Sequence, residues 1–251
     1  MKLKALTLLS LLLAALGAAA GDAPSREVGW RESFDNTTTV GKDEMPNNWE
    51  FNGAKLLVPK TQFRVIMAED ADNGKALEIE SKKSTGSLMA MPRVDLTKYP
   101  ILRWRWRVRN LPPNADGRQP KLDDQVAGIY FGAGSPLSRK SIALRWETET
   151  PIGTIGSSKY GAGIVSVFTV CYRNKTSPVN EWVVEEVDAV ALFEKVYGFI
   201  PGPDDYIVAV AGNSQYTQSH TFAEVDFIEL VAKTDAAKPD VLQADSNTKE
   251  K

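Results

Sequence analysis

The chain predicts an all-β protein: a jelly-roll-like antiparallel β-sandwich with one short helix. Three observations carry this expectation. The run Leu102-Arg103-Trp104-Arg105-Trp106-Arg107-Val108-Arg109 alternates apolar and cationic residues without exception. Only a strand places Leu102, Trp104, Trp106 and Val108 on one face and the four arginines on the other. Short apolar segments recur along the chain, separated by turn chemistry such as Asp72-Asn73-Gly74, Pro112-Pro113-Asn114 and Pro201-Gly202-Pro203, which is the pattern of a sandwich or barrel. One segment, Ala189 to Tyr197, has helical spacing instead.

The first element is a leader. Lys2 and Lys4 precede an apolar stretch from Leu6 to Leu16, and Ala18-Ala19-Ala20 supplies a small-residue cleavage site, so residues 1–20 read as a secretory signal peptide. Cleavage near Ala20 releases a periplasmic or secreted protein. The apolar run is too short for a transmembrane helix and no later one replaces it, so the mature chain is not expected to span a membrane. Losing both lysines moves the formal net charge from −2 to −4, the wrong direction for a nucleic-acid binder. Cys171 is the only cysteine of the 251 residues, which excludes an intramolecular disulfide and leaves stability to the core.

The strands follow in order. Trp30–Phe34, Trp49–Val58, Phe63–Met67, Ala76–Ser81 and Ser87–Val94 precede the Ile101–Arg109 ladder. Within them Leu77 and Ile79 alternate with Glu78 and Glu80, a half-buried pattern. Gln125–Gly132 and Ser141–Trp146 come next, then a glycine-rich segment, Gly156–Gly163, read as a loop carrying Tyr160. Ile164–Tyr172 is apolar almost throughout, so Cys171 within it reads as a buried core residue. Trp182–Val187 leads into the helix, where Val190, Phe193, Val196 and Tyr197 share a face and Asp188 and Gly198 suit its two ends. Tyr206–Gly212 and Phe222–Val231 close a single domain over residues 28–232. From Lys233 to Lys251 no apolar period remains, and a disordered tail is expected.

The arginine ladder has a physical problem. Neighbours i and i+2 on a strand lie about 7 Å apart, where two unit charges repel by about 2.4 kcal/mol at an effective dielectric near 20. Acids on flanking strands relieve this: Glu78 and Glu80, Glu147 and Glu149, or Asp123 and Asp124. The first reading is thus a cross-strand salt-bridge lattice. The second is a polar face for an anionic or hydroxyl-rich ligand, with Arg103, Arg105, Arg107, Asp124 and Glu147 as candidate ligand-binding residues and Tyr160 as an aromatic platform. Tyr216 and Trp182 are further loop aromatics.

The ordered motifs resemble a bacterial exported family called domain of unknown function 3047. Trp104-Arg105-Trp106-Arg107-Val108, the downstream Asp123-Asp124 opening a strand that ends Ile129-Tyr130-Phe131, Ala143-Leu144-Arg145-Trp146 and Arg173-Asn174 carry it, over roughly Ser33 to Leu230. The loop Gly212-Asn213-Ser214-Gln215-Tyr216-Thr217 departs from the family's acidic pattern. The resemblance implies a compartment and a fold, not an activity. The layout is also similar to jelly-roll carbohydrate-binding modules.

Catalytic signatures are sparse. His220 stands alone without a Gly-x-Ser-x-Gly elbow, and no Cys/His cluster suits zinc. Glu147 and Glu149 share a strand face and, with Asp124, are the residues for a two-carboxylate hydrolase or lyase. Asp35, Glu224 and Asp226 are the candidate ligands of a structural calcium ion; no other cofactor is expected. Asp70-Ala71-Asp72-Asn73-Gly74 reads as an ordinary turn. The expected function is a non-catalytic, exported binding or accessory module for a glycan or envelope polymer. The alternatives are a carbohydrate-active hydrolase or lyase and a structural protein without a small ligand.

Overall fold

In a computed structural model the described residues are 26–36, 45–134, 138–160, 164–202, 204 and 206–234. The expected leader, residues 1–20, and residues 235–251 of the tail expected from Lys233 lie outside them. The protein is a jelly-roll-like β-sandwich with one helix. Its strands are β1 (Val28–Glu32), β2 (Glu50–Asn52), β3 (Gln62–Met67), β4 (Lys75–Lys82), β5 (Thr85–Ala90), β6 (Ile101–Asn110) and β7 (Gln125–Ala133). They continue with β8 (Arg139–Trp146), β9 (Ile155–Tyr160), β10 (Val165–Arg173), β11 (Val183–Asp188), helix α1 (Ala189–Tyr197), β12 (Tyr206–Asn213) and β13 (His220–Val231).

One sheet runs β11-β6-β13-β4-β3, with β1 also paired to β13. β13 is twelve residues long, enough for β4 to pair with His220–Val225 and β1 with Ile228–Val231. The second sheet runs β2-β5-β12-β7-β8-β10-β9. All pairings are antiparallel except β8 with β10. β9 is a strand where a loop was expected. Its Gly, Ser and Lys residues carry little strand propensity, and its order comes from pairing with β10 over Ile155–Tyr160.

The core lies between the sheets. Trp104 and Trp106, fully buried, meet edge to face at 5.6 Å between ring centroids. Trp106 reaches Trp146 of the opposite sheet at 5.3 Å, and Trp104 reaches Tyr172 at 5.5 Å. The alternation of β6 thus places its aromatics where they join the layers. Helix α1 starts where expected: the Asp188 side chain accepts from Ala191 N–H at 2.9 Å, and Gly198, at φ 78°, ends it in a left-handed conformation that glycine adopts without strain. Phe193 packs on Phe131 at 5.8 Å and covers one end of the core.

Candidate functional site

The arginine face of β6 is paired against β13. Arg103 binds Glu229 at 2.6 Å, Arg105 binds Asp226 at 2.6 Å, and Arg107 Nε binds Glu224 at 2.5 Å. Arg109 also donates to Glu224, and Arg31 of β1 joins Glu229 at 2.5 Å. The acids are almost fully buried. A β-bulge explains how three fit one face: the register slips between Val225 and Phe227, so the extra residue, Asp226, turns its carboxylate toward Arg105. The loop between β3 and β4 covers this lattice. Asp70 pairs with Arg107, Asp72 pairs with Arg31 at 2.5 Å, and the Asp72 amide donates to Asp226 at 3.1 Å. Trp182 lies over Arg107 and Arg105, at 4.2 and 5.1 Å from its ring.

Several expectations change accordingly. The ladder's acids come from β13 rather than from the neighbours anticipated. Glu78 and Glu80 instead bind Arg64, and Glu149 binds Lys175 at 2.5 Å. Arg103, Arg105 and Arg107, the candidate ligand contacts, each hold a buried carboxylate of the lattice. Glu224 and Asp226 are saturated by those arginines, and Asp35, on an exposed turn, accepts from Ser33 at 3.1 Å. The three therefore do not converge as calcium ligands. Among the described residues no cluster of His, Cys, Asp or Glu is arranged to hold a metal.

Asp124 is also reassigned. Its buried carboxylate accepts from the Tyr216 amide at 3.0 Å, the Thr217 amide at 2.6 Å, the Thr217 hydroxyl at 2.8 Å and Asn213 Nδ2 at 3.0 Å. These four donors make it shape the loop between β12 and β13. Glu147, equally buried, binds Arg145 at 3.0 Å and accepts from the Gly117 amide at 2.9 Å. Arg145 also holds Asp123 at 2.7 Å. Burial alone would lower the Arg145 pKa, but the charges of Glu147 and Asp123 outweigh it and the guanidinium stays protonated. Tyr160 ends β9 opposite Val165, and its side chain lies outside the described residues.

The open site is on the other sheet. The outward face of β5, β12, β7, β8 and β10 forms a cleft of about 580 Å³, within the size range of small-ligand sites. Small residues line it on β12, Ala209 and Ala211, and on β7 Gly128 and Gly132 flank Tyr130. Tyr130 rises between the two glycines. A Cβ at Gly128 would stand 2.9 Å from Tyr130 Cε2, and one at Gly132 would stand 2.4 Å from Ser141 Oγ. Both positions therefore stay bare, leaving room for the ring to lie along the sheet. Gln125 Nε2 donates to the Tyr130 hydroxyl at 2.7 Å. Tyr216, 40% exposed, stands on the rim where Asp124 fixes its backbone. Lys55 lies 5.4 Å from its ring. Arg139 lines the cleft as well.

Sequence reasoning pointed to Tyr216 but missed Tyr130 and the floor. The available signal was the small-aromatic-small alternation Gly128-Tyr130-Gly132, which is quieter than a run of four arginines.

Residues 47–229 match the family described as "Protein of unknown function (DUF3047)". The chain belongs to the DUF3047 family. No curated protein matches it. Among solved structures, this DUF3047 protein is similar to the xyloglucanase domain of NopAA from Sinorhizobium fredii, at 9% identity and a TM-score of 0.43, over 80% of this chain and 98% of that one. The CBM22-1 xylan-binding domain of Paenibacillus barcinonensis Xyn10C is similar at 10% identity and a TM-score of 0.36, over 84% and 99%. The MgGH51 α-L-arabinofuranosidase is similar at 10% identity and a TM-score of 0.38, over 82% of this chain but 26% of that one.

Proposed function

We propose that this DUF3047 protein is an exported, non-catalytic glycan-binding module that seats its ligand in the cleft of the seven-stranded sheet. The observation that carries this reading is the pairing of Tyr130 and Tyr216 with a floor of glycine and alanine. Aromatic faces cover the apolar faces of sugar rings, and a floor without side chains leaves width for an extended ligand. Polar groups converge on the same cleft: Gln125, Ser141 and Asn213 from its strands, Lys55 and Gln215 from its rim.

Binding without turnover is the reading the acids support. Asp123 is the carboxylate in the described lining, and it is paired with Arg145 at 2.7 Å. Glycosidic cleavage by paired acids requires a proton donor across the sugar from a second carboxylate. Export through residues 1–20 belongs to the same proposal, since polysaccharides of this kind lie outside the cytoplasm.

Thermal unfolding of the mature chain against a glycan panel tests it. A ligand at about 100 times its dissociation constant stabilises by about 2.7 kcal/mol. Stabilisation by one glycan class, lost in Tyr130→Ala and Tyr216→Ala, is expected. Absence of any shift across neutral and acidic glycans rejects the reading.

A further inference from the structure

Two cations lining the cleft, Arg139 and Lys55, pair with no carboxylate among the described residues. Arg26, Arg31, Arg64, Arg103, Arg105, Arg107, Arg109, Arg118, Arg145 and Arg173 all pair with carboxylates. Arg139, at the start of β8, does not pair with any among the described residues. It is only partly exposed, its Nε is buried without a hydrogen-bond partner, and its Nη1 touches nothing more polar than the Met89 sulfur, at 3.4 Å. Reaching Met89 takes the side chain across the sheet face, because β7 and β12 separate β8 from β5. The guanidinium therefore lies along the cleft, at its junction with a smaller groove of about 340 Å³ that also includes Glu50, Asn52 and Ile207; Arg139 forms no ion pair with Glu50 or any other carboxylate among the described residues.

A buried guanidinium nitrogen without an acceptor is costly. The guanidinium is the donor set that a planar carboxylate satisfies with two parallel hydrogen bonds. The remaining charges in the larger cleft reinforce the sign. Lys55 is held only by Tyr216 and by Gln215 Oε1 at 3.2 Å, and Asp123 is already matched by Arg145.

Building on the glycan-binding reading, we infer that the ligand is acidic: a uronate-containing glycan whose carboxylate is taken by Arg139. The sugar faces stack on Tyr130 and Tyr216, and Lys55 provides a second, more mobile cation at the opposite rim. Nothing in this assignment uses the arginines of β6, which are neutralised on the other sheet.

The test compares oligogalacturonate, oligomannuronate and hyaluronan hexasaccharides with their carboxyl-reduced neutral counterparts, by titration calorimetry on the mature protein, Arg139→Gln and Arg139→Lys. The expected result is at least about tenfold tighter binding of one acidic glycan than of its reduced form, the size of one charge-assisted hydrogen-bond pair. Arg139→Gln should abolish that preference while retaining neutral binding, and Arg139→Lys should restore only part of it. The melting temperature of Arg139→Gln should not fall, because no partner is lost. Equal or tighter binding of the neutral forms overturns the acidic assignment and leaves the glycan reading standing. Binding of neither form overturns both. A large fall in melting temperature with unchanged preference would make Arg139 a structural residue and overturn its role.

Discussion

Gly128 lies beneath the ring of Tyr130, and a Cβ there would approach Tyr130 Cε2 to 2.9 Å and Gln125 Nε2 to 3.3 Å. The aromatic platform thus depends on a missing side chain. Gly128→Ala should lift the ring and weaken glycan binding by about tenfold. The ring faces an open cleft and can move, so the stability cost should stay near 1 kcal/mol, the low end for overpacking. Calorimetric binding and thermal unfolding of the same variant check both halves.

Asp124 carries the β12–β13 loop. Asp124→Ala leaves two backbone amides and a hydroxyl without their acceptor, at about 1–3 kcal/mol for each buried group left unsatisfied. Water reaching the rim will offset part of that, so a loss of about 3 kcal/mol is expected. Hydrogen exchange should report faster exchange at the Tyr216 and Thr217 amides. Glycan affinity should fall with it, because Tyr216 loses its fixed position.

Arg105 is the single cation on buried Asp226. Arg105→Ala should cost about 3 kcal/mol, as expected when one partner of a buried pair is removed. Arg103→Ala should cost under about 1 kcal/mol, since Arg103 is partly exposed and Glu229 keeps Arg31. Burial already raises the Asp226 carboxyl above the ordinary aspartate range against the pull of its backbone partner and Arg105. Without Arg105 it rises further, so the deficit should be largest at neutral pH and shrink as acid protonates Asp226. Denaturant titrations of the two variants at neutral and mildly acidic pH test the order and the trend. Neither variant should change glycan affinity.

Asp116 gives an acid dependence of the opposite sense. Hydrogen bonds from Arg118, followed by Gln119, hold its carboxyl well below the ordinary aspartate range. As pH falls, the unfolded chain takes up that proton before the folded one. The contribution is therefore complete above about pH 5 and is lost progressively on acidification. Asp116→Asn should flatten the acid limb of a stability-against-pH curve. An unchanged slope would show that the pair with Arg118 has no energetic weight.

Cys171 should be inert in the folded protein. Burial, reinforced by the nearby Glu147 charge, pushes its thiol up to about 12, so almost no thiolate exists at pH 8. A thiol-reactive chromophore should label one group per chain after denaturation and react only at the unfolding rate before it. Rapid native labelling would contradict the buried placement.

Local pattern determined much of this protein. Period-two alternation identified β6 and its buried tryptophans, and helical spacing with Asp188 and Gly198 bounded α1. Both depend on neighbours a few residues away, where chain geometry alone decides which side chains share a face. Family membership was legible for the same reason, through contiguous motifs. Pairing between distant strands was not. That Glu224, Asp226 and Glu229 neutralise the ladder required β13 to lie beside β6, with a bulge at Asp226 that no local pattern announces. The candidate site lay furthest from view. Its floor is made of small residues whose importance lies in what they leave empty, and Arg139 stands out only because packing gave its neighbours partners and left it without one among the described residues. Conspicuous charge in the sequence marked the part of the surface that tertiary structure neutralised, while the open cleft arose from shape, which only the packing of five strands side by side decides.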